Sequence, residues 1–296
     1  MRKERERRTY ALCGREAGLK PCSSESPILK TTSDAFIYDK RVTAPPSRRI
    51  GLARALSKLG YCSRSQAFTL IRAGRVALNG AVRRDPESPV NLERDCILVD
   101  GQAIAVAKPV YLMLNKPRGV VTTASDEKSR GTVYDCLPSG LPWLAPVGRL
   151  DKASEGLLLF TNDSEWAARI TAPETHLDKT YHVQIGVLAD ATLLRTFEKG
   201  VTLDGERLRL KRVGLVRQGQ RNTWLEIVLD EGKNRHIRRL LGTLGVEVLR
   251  LVRVAIGPLV LGDLAKGSSR PLTSGEKRAL DNDLGVSQRT PPRLSS

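Results

Sequence analysis

Metal-ligating and cross-linking residues are sparse in this 296-residue chain. Its five cysteines (Cys13, Cys22, Cys62, Cys96, Cys136) show no CxxC pairing, and its three histidines form no ligand cluster with them. That spacing argues against a structural metal site and against a disulfide framework, and it points to a reducing, cytoplasmic setting. No apolar run approaches the ~18 to 20 residues that span a bilayer, so no membrane segment is expected. A dinucleotide-binding glycine fingerprint is missing too, and no nucleotide cofactor is expected. Hydrophobic residues make up 40% of the chain, ordinary for a globular protein of one to three domains.

Positive charge, by contrast, is plentiful. Lys and Arg number 49 against 32 Asp and Glu, a net +17 at pH 7. An excess of this size points to a polyanionic partner, most often nucleic acid. It is unevenly spread: residues 1–48 and 49–108 carry +5 each, residues 109–265 only +4, and residues 266–296 +3. The long, least charged segment is therefore where most of the core is expected.

Residues 1–48 open with RKERERR, lack hydrophobic periodicity and contain Pro21, Pro27, Pro45 and Pro46. They read as a disordered basic extension without the apolar stretch of a secretory signal, and a translation start assigned too early is the other reading. Residues 266–296, with Pro291 and Pro292, read as a flexible tail. Between these ends, residues 49–108 form a small module. Leu52, Ala55, Leu56 and Leu59 are spaced for a helix ending at Gly60. Ser63 to Gln66 is a capping box opening a second helix that Gly74 closes, and Asn79-Gly80 is a hairpin turn. Arg54, Lys58, Arg64, Arg72 and Arg75 are left facing solvent.

LARALSKLGYCSRSQAFTLIRAGRVALNG, residues 52–80, resembles the RNA-binding module of ribosomal small-subunit protein S-four. The resemblance implies phosphate contacts through Arg64, Arg72 and Arg75, with Arg54 and Lys58 on the same surface.

Downstream, short β-branched runs alternate with polar breaks at Val110 to Leu114, Leu157 to Phe160, Tyr181 to Val187, Leu225 to Leu229 and Val248 to Val254. Helices are expected near 163–172 and 190–198 and over 234–244. This is an α+β pattern: a small α/β module followed by a larger domain, residues 109–265, on a mixed, mostly antiparallel sheet flanked by helices. Three stretches carry chemistry. GRLDKASEGLLLFTND (148–163) places Asp151, two residues after Arg149, on a loop feeding a buried strand, where a carboxylate can be held at a fixed angle. LDKTYHVQIGV (177–187) presents Tyr181, beside Lys179, at the start of a strand, where it can stack on a base. LDEGKNRHIRRLLGTLG (229–245) makes a helix with Ile237, Leu240, Leu241 and Leu244 on one stripe and Arg235, Arg238 and Arg239 opposite. An arginine there can hold a carboxylate ionised or grip phosphate.

These stretches, with NKPRGVVTT (115–123) and RLVRVAIGPLVLGDLAKG (250–267), resemble the bacterial ribosomal pseudouridine synthases that carry the S-four-type module, the branch that includes the Rsu and Rlu enzymes. The likeness runs from Leu52 to Gly267 with five separated motifs in order. It implies that Asp151 is the catalytic aspartate, that Tyr181 packs on the target base, and that Arg238 pairs with the aspartate. Leu240 or Leu241 would help line the pocket, with Arg149, Lys179 and Arg235 as further substrate-binding residues. It also implies ribosomal RNA as the partner, large-subunit RNA or an assembly intermediate in preference to small-subunit RNA, and a monomer that needs no cofactor or metal. His236, Leu240 and Ser154 depart from the residues frequent in the family, which bears on substrate choice. The other reading is a non-catalytic RNA-binding assembly factor.

Overall fold

The computed structural model describes residues 49–105, 107–123 and 130–285. The expectation of a disordered stretch over 1–48 falls outside these residues. In the N-terminal module, α1 (Leu52–Lys58) and α2 (Arg64–Arg72) pack on a four-stranded antiparallel sheet. Its strands are β1 (Val76–Leu78), β2 (Ala81–Arg83), β3 (Ile97–Val99) and β4 (Gln102–Ala103), in the order β2-β1-β3-β4. The capping box forms as expected: Ser63 Oγ accepts from the Gln66 amide at 3.1 Å, and the Gln66 side chain accepts from the Ser63 amide at 3.0 Å. Asn79 and Gly80 both take positive φ, which gives the β1–β2 hairpin the hand that matches strand twist. Leu52, Leu56, Ala67, Ile71, Val76 and Val99 close the module's own core.

The larger domain is built on one twisted sheet. Its strands are β5 (Tyr111–Lys116), β6 (Ala145–Val147), β7 (Glu155–Thr161), β8 (Lys179–Ile185), β9 (Arg212–Gln218), β10 (Thr223–Leu229), β11 (Val248–Ile256), β12 (Leu259–Val260) and β13 (Ser269–Pro271). The main path runs β9-β10-β8-β11-β7-β5-β13, with β6 on β7 and β12 on β11. Every neighbour is antiparallel except β11 and β7, where Val252 faces Glu155 and Arg253 faces Gly156. That junction depends on glycine. Gly156 has φ +101°, and a Cβ there would collide with the Arg253 backbone.

Helices α3 (Ser164–Thr171), α4 (Ala191–Lys199) and α5 (His236–Thr243) fall where the periodicity puts them, each within a few residues. Alternation along the strands divides the core between the two faces. Leu157, Leu159 and Met113 pack with Trp166 and Ile170 of α3, whereas Leu158 and Phe160 pack on the other face. Val183, Ile185, Leu225 and Ile227 meet Phe197 of α4 and Leu240 and Leu241 of α5.

The C-terminal stretch differs from the flexible tail expected over 266–296. Within the described residues, β13 extends the sheet alongside β5, and α6 (Ser274–Asp283) buries Leu280 completely. Asp281 accepts from the Trp166 indole N–H at 2.9 Å, and Glu276 both caps α6 and receives two hydrogen bonds from Arg270. The carboxyl of Glu276 is accordingly held down at about 2, the Arg270 hydrogen bond being the largest cause. Residues 266–285 thus belong to the folded domain.

Candidate active site

The loop after β6 carries Gly148 to Ser154, and its backbone is held from three sides by the segment 115–123. Lys116 ends β5 with its side chain fully buried, and its ammonium donates to the carbonyls of Pro117 (3.1 Å), Asp151 (3.2 Å) and Ser154 (2.9 Å). The Gly119 amide donates to the Lys152 carbonyl at 2.8 Å. Thr122 Oγ1 donates to the Leu150 carbonyl at 2.7 Å and accepts from the Leu150 amide at 3.3 Å. Burial pushes the Lys116 ammonium down to about 8, with the Asp151 carboxylate working against that fall. The NKPRGVVTT motif therefore fixes the backbone on both sides of Asp151. Its role was not legible in sequence, because nothing local announces a lysine that folds inward.

Asp151 opens into a cleft of about 320 Å³. Arg149, Lys179, Tyr181, Arg235, Ile237 and Arg253 also line it. Tyr181 is half-buried on β8, next to Arg253 across the β8–β11 pairing. The cation closest to the Asp151 carboxylate is Arg235, at 3.9 Å, with just over half of its side chain exposed. Arg235 caps α5 in the left-handed conformation (φ 47°), which turns the chain into the helix at the cleft wall.

Two expectations need correction. Arg238 does not form the ion pair with Asp151. Its guanidinium donates to the carbonyls of Ala153 and Val248, both at 3.2 Å, and so bridges the aspartate loop to the approach to β11. Burial and the neighbouring Arg235 lower its pKa, and Asp151 acts in the opposite sense, so the two groups sense each other without pairing. Leu240 and Leu241 are both fully buried in the core under β8 and β10 and do not line the cleft. The helix enters at the cleft and runs away from it, so its apolar contribution to the wall is Ile237, one turn nearer its start. His236, 4% exposed at the first turn of α5, has neither ring nitrogen hydrogen-bonded, and burial lowers its pKa.

In the N-terminal module, Arg54, Arg64 and Arg72 are exposed. Arg75 pairs with Asp100 at 2.5 Å, and Lys58 pairs with Glu165 of α3 at 2.8 Å. Lys58 thereby ties the module to the larger domain, together with a backbone hydrogen bond from Trp143 to Gly60 (2.8 Å).

A basic module is thus joined to a sheet domain whose cleft holds Asp151 and Glu231 among several cations. The RNA pseudouridylate synthase family matches residues 110–242, and the S4 domain family matches residues 50–96. An uncharacterized RNA pseudouridine synthase of Aquifex aeolicus is 36% identical over 238 residues, 80% of this chain and 96% of its own length. The ribosomal large subunit pseudouridine synthase B of Bacillus subtilis is 34% identical over 232 residues, covering 77% and 94%. A crystal structure of a pseudouridylate synthase aligns with a TM-score of 0.55 at 31% identity, covering 78% of this chain and 99% of the other. The chain belongs to the RNA pseudouridine synthase family, isomerases that act on RNA, and it carries an S4 RNA-binding domain.

Proposed function

We propose that this enzyme converts a specific uridine of ribosomal RNA to pseudouridine, that the substrate is large-subunit (23S) RNA, and that Asp151 is its catalytic carboxylate. The observation that carries this reading is the meeting of Asp151 and Tyr181 in one cleft, with the aspartate loop clamped by Lys116, Gly119 and Thr122. The name of the Bacillus subtilis relative supports the large-subunit assignment. Free thiols at Cys62, Cys96 and Cys136 are in keeping with a reducing, cytoplasmic setting.

The target base must leave its stack, which costs a few kcal/mol, and an aromatic wall recovers part of that. Tyr181 supplies the wall. Exposed Arg149 and Arg235 at the rim are placed to hold the flanking phosphates, while Arg54, Arg64 and Arg72 of the module capture the RNA at a distance. Asp151 then attacks the nucleoside, the glycosidic N1–C1′ bond breaks, the base turns, and C5 bonds to C1′. Atoms balance without an oxidant: the C5 proton is lost and N1 gains one. Arg235, 3.9 Å from the carboxylate, is the cation beside Asp151 during this step.

The test is Asp151→Ala on unmodified in vitro transcripts of the two ribosomal RNAs, read by nucleoside mass spectrometry. Pseudouridine is expected in the large-subunit transcript with the wild-type chain and in neither transcript with the variant, at unchanged RNA affinity. Conversion by Asp151→Ala would remove Asp151 from the mechanism.

A further inference from the structure

Arg253 is 6% exposed on β11, at the floor of the cleft. Its Nε donates to the Leu157 carbonyl at 2.7 Å, Nη2 is buried without a partner, and among the described residues no carboxylate lies within ion-pair distance. Arg250, three residues earlier on the opposite face and 37% exposed, belongs to the ordinary solution for a buried charge, here that of Glu155. It meets Glu155 through two hydrogen bonds of 3.2 and 3.1 Å, and Lys266 joins them at 2.5 Å. A guanidinium stays charged at any pH of interest, and an unpaired buried charge is costly. Such a group persists where a ligand completes it. Lys179, also lining the cleft, adds to the imbalance: its ammonium is pushed down first by burial and then by Arg253. Of the two carboxylates that line the cleft, Asp151 already faces Arg235 and Glu231 pairs with Lys233.

We propose that Arg253 donates a hydrogen bond to a ring carbonyl oxygen of the flipped uracil and stabilises the negative charge that the base acquires on detachment. This rests on the assignment of Asp151 and Tyr181 above. When N1–C1′ breaks, its electron pair stays with the uracil and is delocalised over N1, O2 and O4, while an Asp151 oxygen satisfies C1′. When C5 bonds to C1′, that pair forms the new carbon–carbon bond, the carboxylate departs, the C5 proton leaves and N1 is protonated. A preorganised cation beside the developing anion is the interaction that lowers such a barrier most, because it strengthens as charge develops. The position selects the base over the phosphates. Arg253 is beneath the rim and next to the Tyr181 ring on which the base stacks, while the exposed cations that phosphates can reach are Arg149 and Arg235.

The experiment uses the full chain with Arg253→Gln, and Arg253→Lys as the variant that keeps the charge should the first unfold. Probes are ribosomal RNA transcripts made with UTP, 2-thio-UTP or 4-thio-UTP, since sulfur accepts hydrogen bonds poorly. With uridine, Arg253→Gln should lower the single-turnover rate about 10²-fold, leave Kd and its salt slope unchanged, and Arg253→Lys should fall between. One of the two thio substitutions should slow the wild-type chain by a factor that disappears in Arg253→Gln. A thio effect of full size in the variant would overturn the proposal. So would a loss confined to Kd with the salt slope reduced by about one, which marks a phosphate contact, or a lowered Tm with the rate per folded molecule unchanged. Activity retained by Asp151→Ala in the same assay would instead overturn the assignment on which the proposal rests.

Discussion

Replacing Lys116 by Met keeps the length and apolar stem of the side chain and removes only the charge and its donors. In the wild type, the buried ammonium makes three hydrogen bonds of 2.9 to 3.2 Å to the carbonyls of Pro117, Asp151 and Ser154. Each bond from a charged donor contributes about 1.5–3 kcal/mol. Against them stands the cost of burying the cation. The fall of its pKa from 10.5 to about 8 corresponds to about 3 kcal/mol at about 1.4 kcal/mol per pH unit. The bonds outweigh the burial cost, and the net stability lost in Lys116→Met at neutral pH is roughly 1.5–6 kcal/mol. Catalysis should suffer more. A loop displaced by about 1 Å costs on the order of 10²-fold in rate, so kcat should fall by about that factor with Kd for RNA unchanged. The pH dependence gives an independent check. Below pH 8 the folded chain bears the full cost of the buried cation, and above 10.5 neither folded nor unfolded chain is charged there, so the cost is gone. Wild-type stability relative to Lys116→Met should therefore rise by up to about 3 kcal/mol between these limits. Urea unfolding at several pH values and single-turnover kinetics measure both effects. A variant within threefold of wild type in rate, or a stability difference flat in pH, would show that the Lys116 ammonium does not hold the loop.

Three further outcomes follow from the placement of other residues. Leu240→Ala should lower stability by about 2–5 kcal/mol through the cavity it leaves, with KM unchanged at permissive temperature; a specific rise in KM would return Leu240 to the cleft wall. Ending the chain at residue 265 should remove β13 and α6, expose Trp166 and lower the Tm, read by thermal melting and tryptophan emission; an unchanged Tm would make this stretch dispensable. Deleting residues 49–108 should weaken RNA affinity and flatten its salt dependence more than it lowers the Tm, and an unchanged salt slope would show that the module contributes no phosphate contacts.

Much of the fold was legible because periodicity and caps act locally. The capping box at Ser63, the Asn79-Gly80 turn, the five apolar strand runs and helices α3 to α5 all rest on signals within a dozen residues. What escaped depends on distant partners. Ser269–Pro271 is short and polar and ends in proline, tolerated because this is an edge strand, and α6 offers a single fully buried side chain, Leu280. The stripe on α5 correctly gave an inward face for Leu240 and Leu241, but periodicity does not say whether that face meets a core or a cleft. Arg235 caps α5 and Arg238 lies in its first turn, and only the left-handed turn at Arg235 decides which approaches Asp151. Lys116, Thr122 and Arg253 gave no local signal, since their importance lies in what they meet 28 to 96 residues away along the chain.

The most direct test of the central claim is a map of pseudouridines in both ribosomal RNAs from cells lacking the gene, complemented with the wild-type chain or with Asp151→Ala. One site in large-subunit RNA should be absent without the gene, restored by the wild type and not restored by the variant. Restoration by Asp151→Ala, or a lost site confined to small-subunit RNA, would contradict it.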